Sequence, residues 1–145
     1  MRLTYHVMFP KALLPTIFQW QKACTDLGFA VEFEAQLLMT PLSDSKLTAV
    51  LSYRETTTKA QVYTSPISDV ADICDELHLH ITKDQDLAVT IEFNDDSENL
   101  PPVSMTVAAM AKLTNAMIYI EGDGTFCTAD EAVETANGWE KQGKS

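Results

Sequence analysis

Leu87-Ala88-Val89-Thr90-Ile91-Glu92-Phe93 is the stretch that decides the fold. Leu87, Val89, Ile91 and Phe93 fall on one side of an extended chain, and Ala88, Thr90 and Glu92 on the other. That two-residue alternation marks a strand with one face in a core. The same period governs Leu3, Tyr5, Val7 and Phe9, where Pro10 stops the run because it has no N–H to give a ladder. It recurs in Phe29, Val31 and Phe33, and in Leu47, Ala49, Leu51 and Tyr53. After a threonine-rich turn from Glu55 to Lys59, Ala60 to Thr64 is expected to return as a short strand, closing an antiparallel hairpin. Met117 to Ile120 is apolar on both sides, the pattern of a strand inside a sheet.

Between these runs the period changes to that of a helix. Ile17, Trp20, Cys24 and Leu27 follow Pro15 and end at Gly28, which is the usual start and stop. Val70, Ile73, Cys74 and Leu77 stand at i, i+3, i+4 and i+7, with Ser68 as the expected N-cap. A third helix is expected from about Pro102 to Thr114, rich in alanine. A fourth begins at Thr128-Ala129-Asp130-Glu131, a capping box, and is expected to end at Asn137-Gly138. The order β-α-β-β-β-α-β-α-β-α does not alternate strictly. It predicts an α+β fold: a mainly antiparallel sheet of five or six strands with three to four helices packed on it. The 145 residues fit one domain, expected over 1–138, with 139–145 a fraying tail in which Trp139 either docks or stands exposed.

Charge is distributed unevenly. The net charge is −11, yet residues 1–64 carry a net +1 and residues 65–145 a net −12. Asp84, Asp86, Glu92, Asp95, Asp96 and Glu98 stand between Lys83 and Lys112 with no base among them. Glu121, Asp123, Asp130, Glu131, Glu134 and Glu140 follow before Lys141. Nucleic acid is an unfavourable partner for such a chain, because phosphate contacts need clustered lysine and arginine. No run of about 18 apolar residues is present, so no membrane span is expected. The first residues lack a signal-peptide h-region, which makes the cytoplasm the expected location.

The chemistry-bearing residues form no familiar motif. Cys24, Cys74 and Cys127 make no disulfide framework or CxxC pair. His78 and His80, after Cys74-Asp75-Glu76, supply two imidazoles of the kind zinc takes, but no third and fourth ligand are placed. Glu121-Gly122-Asp123-Gly124 is oxygen-rich but lacks the calcium-loop series, and tight-turn geometry explains its glycines. No phosphate cradle, nucleophile elbow or metalloprotease motif occurs. The expectation is therefore a non-enzymatic protein with no cofactor and no metal.

Trp20-Gln21-Lys22-Ala23 followed by Gly28-Phe29, the strand Leu87 to Phe93, the alanine-rich third helix, and Gly122-Asp123-Gly124-Thr125 before Thr128-Ala129-Asp130-Glu131-Ala132 resemble small acidic bacterial immunity-type proteins, encoded beside secreted toxins. The resemblance implies a compact acidic α+β protein that blocks a toxin or nuclease domain by covering its basic active site. The partner-binding residues it implies are Asp84, Asp86, Asp95, Asp96, Glu98, Glu121, Asp123, Asp130, Glu134 and Trp139. A basic protein partner suits such a field, which speeds encounter and rejects wrong partners. The alternative is a small-molecule-binding or regulatory domain with a ligand held between sheet and helices. Either a monomer or a homodimer is compatible with the composition.

Overall fold

Leu87–Asn94 forms strand β5, the middle of a seven-stranded sheet ordered β2-β3-β4-β5-β1-β6-β7. This is a computed structural model, and it describes residues 2–142. The other strands are β1 (Arg2–Phe9), β2 (Glu32–Phe33), β3 (Leu47–Tyr53), β4 (Thr56–Pro66), β6 (Met117–Glu121) and β7 (Thr125–Thr128). Every neighbouring pair is antiparallel. The α+β class is therefore as expected, with one more strand than the sequence periodicity revealed.

Helices α1 (Ile17–Asp26), α3 (Leu100–Thr114) and α4 (Ala129–Gln142) cover one face of the sheet. The odd-numbered residues Tyr5, Val7 and Phe9 of β1 join Leu87, Val89, Ile91 and Phe93 of β5 in that core. Trp20 fills the space between α1 and α3, where its indole N–H donates to Thr106 O at 2.7 Å and its ring leans on Phe33 with centroids 4.8 Å apart. Burying the largest side chain costs little when its single polar atom is satisfied. Ten residues of α3 are buried, which suits a helix with apolar side chains almost all round.

Several boundaries depart from the sequence expectation, each for a local reason. Thr16, not Pro15, starts α1: its hydroxyl accepts from Gln19 N–H while the Gln19 side chain accepts from Thr16 N–H. The wide threonine turn is instead a tight one, because Tyr53 pairs with Thr56 and only Arg54 and Glu55 lie between. Both take positive φ, 48° and 69°, the twist that matches a hairpin but that Asn-Gly would usually supply. The second helix is one short turn, α2 (Ile67–Ala71), with Pro66 rather than Ser68 at its N-cap, and a 3-10 turn follows at Leu77–Leu79. Val70 and Leu77 are buried as expected, but Ile73 is exposed.

The N-terminus of α4 is as the capping box predicts, with reciprocal Thr128–Glu131 bonds of 2.9 and 3.2 Å. Its end is not. The helix continues through Asn137-Gly138 to Gln142, so residues 139 to 142 belong to the fold and not to a tail; residues 143–145 lie outside the described residues. Trp139 packs against the core, and Glu140 is buried where it accepts from Tyr53 Oη at 3.3 Å and Arg54 Nη2 at 3.0 Å. Those tertiary contacts outweigh the weak helix preference of two residues.

Candidate functional site

The second face of the sheet is where polar side chains collect. Alternation sends Thr4, His6 and Met8 of β1 away from the three large helices, and register aligns them with their neighbours. One row reads Gln61, Glu92, Thr4, Glu121 across β4, β5, β1 and β6; the next reads Tyr63, Thr90, His6, Tyr119, Phe126, reaching β7. The segment from α2 to the 3-10 turn covers the far end of this face, where Val70 and Leu77 pack with Met8, Ala88 and Tyr119. The first polar row lies towards the other end, and the second borders this cluster through Tyr119 and Phe126.

His6 is buried at the centre of that arrangement, 7% exposed. Its Nδ1 lies 3.0 Å from Thr90 Oγ1. Its Nε2 stands 3.5 Å from Glu121 Oε1, an ion-pair distance, and is buried without a hydrogen bond among the described residues. Burial holds the imidazole below its usual range, and the Glu121 carboxylate pulls only partly the other way. Beside it, Glu92 accepts from Tyr63 Oη at 3.0 Å and Lys46 Nζ at 3.4 Å, with Arg2 Nη1 at 3.9 Å. Burial and the bond to Glu92 push the Tyr63 phenol up to about 12.

Beyond these rows stand two acidic loops. β5 leads into Asp95, Asp96 and Glu98, and β6 leads through Glu121 into Asp123. Because β1 alone separates β5 and β6, the loops are two strand spacings apart, about 10 Å, on either side of Arg2. Asn99 secures the first by donating from Nδ2 to Asn94 O at 3.1 Å. In the second, Gly122 and Gly124 take φ of 103° and 68°, which other residues rarely adopt, so the glycines are there for the turn. Among the described residues, no lysine or arginine pairs with Asp96, Glu98 or Asp123.

Half of the sequence-predicted partner residues are thus brought together, and half are not. Asp84 and Asp86 precede Leu87 at the opposite end of β5, roughly 25–30 Å from Asp95 along the strand direction. There Asp86 Oδ1 accepts from Lys11 N–H at 2.8 Å. Asp130 opens α4 at that same far end, paired with Lys112 at 2.9 Å. Glu134 is exposed on α4, and Trp139 is half-buried against the core. The acids of the second half therefore do not make one continuous face. Strand direction divides them into an end with Asp95, Asp96, Glu98, Glu121 and Asp123, and an end with Asp84, Asp86 and Asp130.

His78 and His80 sit on the 3-10 turn, not on a strand, and His80 stacks on Phe126 with centroids 3.7 Å apart. Among the described residues, no three His, Cys, Asp or Glu side chains gather to hold a metal. Burial pushes the Cys24 thiol up to about 12, and burial with Glu131 raises that of Cys127. The His6–Thr90–Glu121 and Glu92–Tyr63 contacts were missed in the sequence. Their one signal was polar Thr4 and His6 between the buried positions of a strand, which shows polarity without naming a partner.

No family model matches this chain, and no curated protein or solved structure matches it either. Nor is any helix among the described residues long and apolar enough to cross a membrane.

Proposed function

We propose that this chain is a non-catalytic binding protein that takes a basic protein partner at the acidic end of its sheet, in the manner of an immunity-type protein covering a toxin or nuclease domain. The observation that supports this reading is the convergence of Asp95, Asp96, Glu98, Glu121 and Asp123 on one end of three adjacent strands, β5, β1 and β6. Asp96, Glu98 and Asp123 are exposed there. A partly buried plane of Glu92, Tyr63 and His6 lies beside them, tied together by the Tyr63–Glu92 and His6–Thr90 contacts. Like charges on two loops about 10 Å apart repel one another, and they gain most from a cation that covers both.

Isothermal titration with a basic protein encoded beside this chain's own gene tests the proposal. Asp96→Lys, Glu98→Lys and Asp123→Lys together should weaken binding by about 100-fold or more, chiefly through slower association, and the remaining affinity should lose its salt dependence. Asp84→Lys, at the opposite end of β5, should leave binding within about twofold. Equal affinity of the first variant and the parent would overturn the proposal.

A further inference from the structure

A crevice of about 100 Å³ enters the main core between the sheet and helices α3 and α4. Tyr5, Val107 and Ile118 form its buried floor, and Ile120, Cys127, Ala132 and Thr135 its partly exposed mouth, with Ser104 beside the Tyr5 phenol. It is half open to solvent and lies where two helices and three strands meet. It exists because Ser104, Cys127 and Ala132 are small at places where Leu or Ile would close it. None of the lining side chains is a carboxylate or a base.

We propose that this crevice is a binding site for a small neutral molecule, apolar over most of its surface and no larger than about one six-membered ring, with a single hydroxyl. The walls fix the class. Val107, Ile118, Ile120 and Ala132 offer only dispersion contacts and exclude an ion, whose desolvation nothing in the crevice would offset. Tyr5 and Ser104 both line the crevice, so their hydroxyls can give a donor and an acceptor to one polar group of the ligand. An engineered apolar cavity of about 150 Å³ takes benzene, and this smaller crevice has an open mouth in addition. The site is on the helix side of the sheet, whereas the two polar rows lie on the other side; Asp123 of the acidic end is near enough to raise the Tyr5 phenol.

Phenol is the probe, with benzene and acetate as comparisons. Thermal unfolding of the full chain should shift upward by about 3 °C or more at saturating phenol, less with benzene and not with acetate. Cys127 gives a second reading. Its half-buried thiol lines the mouth, while Cys24 is sealed in the core and Cys74 belongs to the opposite face. Modification of Cys127 by methyl methanethiosulfonate, followed by peptide mass spectrometry, should slow about tenfold at ten times Kd. Ala132→Leu should fold with an unchanged or higher melting temperature and lose the phenol-induced shift; should it fail to fold, Ser104→Val takes its place and should weaken phenol to the level of benzene. No shift and no protection of Cys127 up to phenol concentrations of about 10 mM, or a shift of the same size in the blocked variant, overturns the proposal.

Discussion

At the scale of single residues, His6 is the side chain whose environment has the plainest consequence. It is held neutral by burial, so its pKa in the folded chain lies below the unfolded value of 6.5. The folded state therefore binds fewer protons than the unfolded state as pH drops below 6.5, and stability falls with pH through that window until the folded pKa is passed. The neutral form's contribution is fully present above pH 6.5. His6→Gln, which keeps a polar group beside Thr90, should give a flatter dependence. Urea midpoints at pH 7.5, 6.5, 5.5 and 5.0 check this. The parent should lose more stability than the variant between pH 6.5 and 5.0, whereas parallel curves would mean that the Glu121 carboxylate fully offsets the burial. This environment was not legible in the sequence. Alternation showed that His6 faces away from Tyr5 and Val7, but not that β5 and β6 would flank it with Thr90 and Glu121.

At the scale of elements, what was legible depended on how locally each element is determined. β1 and β5 were clear because both carry strict alternation, and the start of α4 was clear because a capping box is a local device. β7 was not, since Thr125-Phe126-Cys127-Thr128 has no alternation to read and is a strand only because Met117–Ile120 lies alongside. The hairpin turn was hidden because Arg54 and Glu55 are poor residues for positive φ. Acids also hid the partner site, since a run such as Asp84 to Glu98 reads as one block in the sequence while the strand inside it sends its two halves to opposite ends of the sheet. The last turns of α4 make this dependence testable. Gly138 has no positive φ and no atom within 4 Å of where a Cβ would stand, so Gly138→Ala should stabilise the chain by about 0.5–1 kcal/mol. Glu140→Ala, which takes the acceptor from Tyr53 and Arg54, should lower the urea midpoint by more than Gly138→Ala raises it. If Glu140→Ala is neutral, packing of Trp139 alone carries the helix past Asn137.

At the scale of the whole molecule, the acids divide by the work they do for the fold. Asp86 satisfies the Lys11 N–H and Asp130 pairs with Lys112, so both support the structure where they stand. Among the described residues, Asp96, Glu98 and Asp123 make no such ion pair, and they add repulsion to a chain already at −11. Side chains placed for a partner commonly cost the free protein some stability. Asp96→Lys/Glu98→Lys/Asp123→Lys should therefore melt about 2–4 °C above the parent at low ionic strength, and the gain should vanish near 1 M salt, where the screening length falls to about 3 Å. Asp86→Lys should instead melt slightly below the parent at both salt concentrations, because the exposed Lys11 N–H exchanges its carboxylate acceptor for water whatever the screening. A triple variant that folds more tightly yet no longer holds its partner would place those three carboxylates in binding rather than in folding. One that melts lower than the parent would show that they hold the β5–α3 and β6–β7 loops in place, and the charge at that end would then belong to the fold.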